Sequence, residues 1–278
     1  MKTVKIAVLD LYEGHANEGM RCIREIISQL QNQTNQSIEY KEYDVRLKNE
    51  IPSLDYNLYI SSGGHGSPLE SEGTEWDNRF IEWIQQVEAW NANPVNIQKK
   101  YIFFICHSFQ LACRYFKVGL VAKRKSTALG VFPIHMLENG DQEPIFKGLN
   151  DPFYGVDSRD YQVIQPDTAR INALGAELLC LEKERPHINL ERAIMAIRFN
   201  PYMIGTQFHP EADAQGMSMY LLREDKKNTV IENHGFEKWQ SMLEGLSDPE
   251  KIKRTYNTVL PNFITQSISK LSNSFSLS

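Results

Sequence analysis

The sequence predicts an α/β fold: an open, mostly parallel sheet with helices on both faces, followed by a C-terminal helical appendage. Three observations predict it. Continuous apolar runs at 4–11, 58–62 and 101–105 read as strands covered on both faces. Helical periodicity separates these runs, which argues for parallel pairing through crossovers. Strand patterns then follow one another closely after residue 128, which suggests an antiparallel addition at one side of the sheet.

The elements follow in order. Val4 to Leu11 is apolar but for Lys5 and Asp10 and is the first buried strand. Residues around Ala16 to Leu30 have helical spacing, and Ile38 to Val45 alternates like a strand. Leu58 to Ser62 is a third strand that ends in the turn Gly63-Gly64-His65-Gly66. From about Glu75 to Trp90 the bulky residues Trp76, Phe80, Trp83, Val87 and Trp90 fall four and three apart, on one helix face. Such a stripe packs on a sheet; docking a partner is the minor alternative. Tyr101 to Ile105 is the most apolar strand, with Cys106 at its carboxyl end and a helix from about Ser108 to Phe116. Further strands are expected near 128–132, 162–164, 177–181, 193–199 and 202–208.

The chain divides near residue 223: a 1–223 α/β domain and a 224–278 helical extension. The charged run Glu224-Asp225-Lys226-Lys227-Asn228 reads as a break, followed by helices over about 236–246 and 249–260. Ser247-Asp248-Pro249-Glu250 has the chemistry of a helix start: a capping residue, proline in the first turn, and glutamate three after serine. Residues 272–278 are expected to fray.

Composition narrows the functional classes. A formal charge of −5 with no long basic run argues against a nucleic-acid partner. No segment approaches the roughly 18 apolar residues of a bilayer span, and the first strand is too short for a secretory signal. Cysteines at 22, 106, 113 and 180 match neither a zinc spacing nor a disulfide framework. The expectation is a cytoplasmic protein with free thiols, no metal and no organic cofactor.

Open α/β sheets place their sites at the carboxyl ends of strands. Cys106 stands at such an end, inside Phe104-Ile105-Cys106-His107-Ser108-Phe109-Gln110. A nucleophile on a sharp strand-to-helix turn is presented at the sheet edge, and the next N–H points at the developing oxyanion. The helix N-terminus beside the sulfur favours thiolate. The plain alternative is a buried packing cysteine, which is how Cys113 reads. In Gly205-Thr206-Gln207-Phe208-His209-Pro210-Glu211, residues two apart share a face when extended, so His209 can serve as base with Glu211 as its orienting carboxylate. Its plain alternative is a surface histidine beside a solvated acid. Gly63 and Gly64 let the backbone approach a ligand, or simply make a tight turn. The stretch Ser62-Gly63-Gly64-His65-Gly66-Ser67 superficially resembles the pyrophosphate loop of ATP pyrophosphatases, but that loop expects an acid at Gly66 and usually follows the first strand.

Taken together, a strand with Gly-Gly, a strand ending in Cys with Gln four residues on, and a late Gly-Thr-Gln-Phe-His-Pro-Glu resemble the class I (triad) glutamine amidotransferases. The likeness spans roughly residues 4 to 222 and is greatest to free-standing forms similar to the amidotransferase domain of GMP synthase. The resemblance implies a flavodoxin-like sheet and a Cys106, His209, Glu211 triad that forms a glutamyl thioester and releases ammonia. It implies an oxyanion hole from the N–H groups of His107 and of Gly63 or Gly64, with Gln110 shaping the substrate pocket. It further implies a separate ammonia-accepting synthase, since no ATP-binding or acceptor domain fits here. Three positions depart from the family pattern: Phe104 and Ser108 replace the glycines that flank the elbow, and His65 replaces a proline. Asp157-Ser158-Arg159-Asp160 matches poorly the Ser-His pair that helps hold the substrate's amino-acid end. Two other readings stay open: a γ-glutamyl amide or peptide hydrolase with the same triad, and an inactive binding or regulatory module.

Overall fold

In the computed structural model, which describes residues 3–34, 36–187, 189–246 and 249–275, the first apolar run becomes β1 (Val4–Asp10). There follow α1 (Gly19–Gln33), β2 (Ile38–Asp44), β3 (Leu58–Ser61), α2 (Glu75–Ala92), β4 (Tyr101–Ile105) and α3 (His107–Phe116). The chain continues with β5 (Leu120–Met136), the short α4 (Glu138–Gln142), a 3-10 turn at Pro144–Phe146, β6 (Phe153–Ile164) and α5 (Thr168–Leu174). Next come β7 (Glu177–Glu182), β8 (Ile194–Asn200) and β9 (Met203–Thr206). Helices α6 (Ala214–Leu222), α7 (Glu224–His234), α8 (Phe236–Leu246), α9 (Pro249–Tyr256) and α10 (Val259–Phe275) close the described chain.

These strands form one sheet in the order β2-β1-β3-β4-β9-β8-β7-β5-β6. The first five in that order pair in parallel. The remaining pairs are antiparallel, so the expected antiparallel addition lies at one side. Period-two alternation loads both faces. On β1, Ile6 and Val8 join one core while Ala7 and Leu9 join the other. On β4, Tyr101, Phe103 and Ile105 face the first core, and Ile102 and Phe104 the second. Helices α2 and α3 cover the second face; the stripe residues Phe80, Trp83 and Val87 are buried there against the sheet. The first face is covered by α1 and by α10, whose Val259, Leu260, Phe263 and Ile264 sit in the same core as β1, β3 and β4. The rings of Phe103 and Phe263 meet edge-on at 5.1 Å.

The differences from the sequence reading have physical reasons. Strands β5 and β6 are 17 and 12 residues long, not short segments near 128–132 and 162–164. Much of this pair is only partly covered, and its register shifts between Lys123 and Ala128, so polar residues mask the period. Strand β9 ends at Thr206 rather than Phe208. Helix α7 runs through 224–228, because glutamate and lysine propagate a helix as readily as they decorate a loop. Ser247 and Asp248 lie outside the described residues; α9 begins at Pro249. Residues 272–275 belong to α10, and 276–278 lie outside the described residues.

Candidate active site

The carboxyl ends of β1, β3, β4 and β9 come together because these strands are parallel neighbours. A cavity of about 280 Å³ opens there, lined among others by Tyr12, Gly64, Cys106, Gln110, His209 and Glu211.

Cys106 leaves β4 with φ +49° and ψ −98°, a conformation that side chains rarely adopt. Helix α3 starts at the next residue, and the N–H groups of its first turn lack intrahelical partners. Ser108 fixes this turn: its hydroxyl accepts from the Ile105 N–H at 2.9 Å and donates to the Ser61 carbonyl at 2.8 Å. The elbow is thereby tied to the end of β3. Phe104 is accommodated by its neighbour on β9. A Cβ on Gly205 would stand 3.0 Å from Phe104 Cβ and 2.9 Å from Phe109 Cδ2, so glycine opposite supplies the close approach that the elbow itself lacks.

The Gly-Gly turn is pinned between β1 and the histidine. A Cβ on Gly64 would meet the Leu11 carbonyl oxygen at 2.6 Å, and one on Gly63 would meet His209 Cε1 at 2.6 Å. Ser62 secures the turn by accepting from the Leu11 N–H at 3.0 Å. Arg46 donates to the His65 carbonyl at 2.7 Å and pairs with Glu13 at 2.7 Å.

The segment after β9 leaves the strand, yet it brings His209 and Glu211 together. His209 N–H donates to the Val156 carbonyl at 2.8 Å, and His209 Nδ1 lies 2.8 Å from Glu211 Oε1. Glu211 is fully buried. Burial alone would push the His209 imidazole down. The charges of the Glu211 carboxylate and then of Cys106 outweigh it and hold the proton well above the usual histidine range. Cys106, His209 and Glu211 therefore meet at one wall of the cavity.

Gln110 sits beside this group but does more than line the cavity. Its Nε2 donates to the Tyr161 carbonyl and to Gln207 Oε1, both at 3.1 Å, and Gln207 Nε2 lies 3.7 Å from Cys106 Sγ. The Ser158 carbonyl is 3.9 Å from the same sulfur. Arg159 lines the cavity, but its guanidinium is committed to Asp157 at 2.8 Å and lies 3.5 Å from Glu182. His107 is buried at the elbow, its ring 6.4 Å from that of Trp76. Burial, reinforced by the charges of Arg46, His65 and Arg114, pushes its imidazole down to about 3.

Tyr12, Gln207 and Arg46 carry no role in the sequence reading. Tyr12 follows the first strand, so the rule that sites gather at strand carboxyl ends could have flagged it. Gln207 stands inside the Gly205–Glu211 stretch, two residues before the histidine, without a task of its own. Arg46 left no local signal, since its partners are 19 and 33 residues away in the chain.

The fold is thus an α/β sheet with a strained cysteine at a strand-to-helix elbow and a histidine–carboxylate pair following a parallel neighbour. The chain matches the family described as glutamine amidotransferase class-I over residues 17–228 and belongs to it. No curated protein matches its sequence. Solved structures share its fold at low identity. A glutamine amidotransferase from Thermotoga maritima is similar at 14% identity and a TM-score of 0.65, with coverage of 95% of this chain and 98% of that one. A putative GMP synthase protein from Thermoplasma acidophilum aligns at 16% identity and TM-score 0.52 over 87% and 99% of the two chains. The glutaminase domain of Trypanosoma brucei CTPS, solved with acivicin, aligns at 14% identity and TM-score 0.55 over 75% and 86%. Among the described residues no helix is long and apolar enough to cross a membrane.

Proposed function

We propose that the chain is a glutamine amidotransferase that hydrolyses the side-chain amide of glutamine and passes ammonia to a separate synthase. The observation that carries this reading is the buried His209–Glu211 pair, whose imidazole is coupled to Cys106 at the elbow. The Cys106 thiolate attacks the amide carbon, forming a C–S bond, while the oxyanion is held by the N–H groups of His107 and of Gly63 or Gly64. His209 gives its proton to the leaving nitrogen as the C–N bond breaks, and ammonia departs. Water then attacks the glutamyl thioester with His209 as base; the C–S bond breaks, and glutamate and the free thiol are restored. Glu211 holds the imidazole in the productive tautomer, and Gln110, through Gln207, shapes the wall beside the sulfur. In this reading residues 1–223 carry the chemistry and 224–278 are a helical extension.

A γ-glutamyl amide or peptide is the second reading, favoured by one observation. Arg159 is locked by Asp157 and Glu182, so the 157–160 segment offers no unengaged cation to a free glutamine carboxylate. A glutamine-like chloroketone separates the two. Stoichiometric labelling of Cys106 that excess glutamine blocks supports the first; labelling without protection supports the second. The Cys106→Ala variant is expected to lose amide hydrolysis by several orders of magnitude, while Cys113→Ala stays within about threefold of the parent. Full activity in Cys106→Ala would overturn the reading.

A further inference from the structure

Two buried glutamines form a chain of hydrogen bonds that ends at the sulfur. Gln110 stands in α3, four residues after Cys106, and Gln207 directly follows β9, one step beyond the Ile105–Thr206 pair. The backbone around them is tied down. The Cys106 N–H donates to the Thr206 carbonyl and the Gln207 N–H to the Met195 carbonyl, each at 2.8 Å.

The far end of the chain sets its polarity. The Tyr161 carbonyl can only accept, so Gln110 must turn its NH2 toward it, and Nε2 donates there at 3.1 Å. The same nitrogen lies 3.1 Å from Gln207 Oε1, so the oxygen of Gln207 is taken. What is left for the sulfur is the Gln207 NH2, 3.7 Å from Cys106 Sγ. Turning either amide over would set two acceptors or two donors face to face, which is costly in a buried site. On another side the sulfur lies 3.9 Å from the Ser158 carbonyl, an acceptor that suits the thiol. Gln207 supplies the donor that suits the thiolate.

We propose that Gln207 is a catalytic residue whose amide N–H donates to Cys106 Sγ and favours the thiolate. Gln110, held by the Tyr161 carbonyl, is the positioning residue that fixes which end of that amide faces the sulfur. The assignment rests on the reading of Cys106 as nucleophile, and it gives both N–H groups of Gln110 a task other than contacting substrate.

The test is the pH profile of Cys106 alkylation by iodoacetamide in the full chain. Gln207→Met keeps the length of the side chain and removes the donor. Its acid limb is expected to move up by about one pH unit, so that the rate on that limb falls roughly tenfold. The titratable groups that sense Cys106, namely His209, Arg159 and Tyr12, are the same in parent and variant. Gln110→Met leaves the Gln207 amide free to turn over and should move the limb in the same direction by a smaller amount. The double variant should show no more than the Gln207→Met shift, because Gln110 acts through Gln207. If Gln207→Met does not fold, Gln110→Met carries the test. An activated parent thiol whose profile either folded variant leaves unchanged would overturn the glutamine assignment alone, and so would additive shifts in the double variant. An ordinary thiol profile in the parent chain would overturn the triad reading and this assignment with it.

Discussion

At the elbow two adjacent residues are held by their surroundings in states that a free peptide does not enforce. Cys106 is kept at positive φ by the Ser108 bonds to Ile105 and Ser61 and by the start of α3. His107 is kept neutral, its imidazole pushed down to about 3 from an unfolded value of roughly 6.5. The second fact has a measurable consequence. Between about pH 6.5 and 3 the unfolded chain binds a proton that the native His107 refuses, so stability is complete above that window and falls as the pH drops through it. Replacing His107 by Gln should flatten this part of the curve while leaving its backbone N–H in place. Urea midpoints at pH 7 and pH 4.5 check it: the difference between the two pH values should shrink in His107→Gln, and an unchanged difference would mean that another group governs the slope.

Strand β9 does two jobs at the level of elements. It lies parallel to β4 and delivers the His209–Glu211 segment, and it makes room for the elbow. Phe104 packs against Phe80 and Phe199 at ring distances of 6.4 and 5.9 Å, and Gly205 is the reason that it fits. The bulk absent from β9 is the bulk present on β4. A methyl group at Gly205 must displace both Phe104 and Phe109, so Gly205→Ala should cost about 1–3 kcal/mol, seen as a lower urea midpoint with an unchanged slope. A neutral substitution would show that the elbow can relax around the phenylalanine.

For the whole molecule, the described C-terminal helices enter the core of the α/β sheet. Helix α10 lies on the same face as α1, and Phe263 meets Phe103 of β4, the strand that ends at Cys106. Asn262 adds bonds to the Ile145 and Lys147 carbonyls at 3.1 Å. Removing α10 would uncover one face of the central parallel strands. Truncating a single contact, Phe263→Ala, is therefore expected to cost about 3–5 kcal/mol by chemical denaturation. Chloroketone labelling of Cys106 in the folded fraction should persist, because Phe263 contributes to the core and not to the cavity wall. Loss of labelling in a fully folded variant would mean that α10 also shapes the site.

The parallel half of the sheet, the strand before the cysteine and the residues of the candidate triad could be read from the sequence by itself. The reason is local: strands buried on both faces leave continuous apolar runs such as 101–105, and the elbow, the Gly-Gly turn and the His-Pro-Glu segment are each contiguous. The long β5–β6 arm was not legible in full, because polar residues on a half-covered face erase the period. Helix α7 was hidden because its charges suit a loop equally well. Only the tertiary structure decided how Phe104 is tolerated, what Arg159 is paired with, which helix covers the face opposite α2 and α3, and that Tyr12 stands beside Glu211. Each of these depends on groups distant in the chain meeting within a few ångströms, and packing, unlike pattern, is not written in any one stretch of sequence.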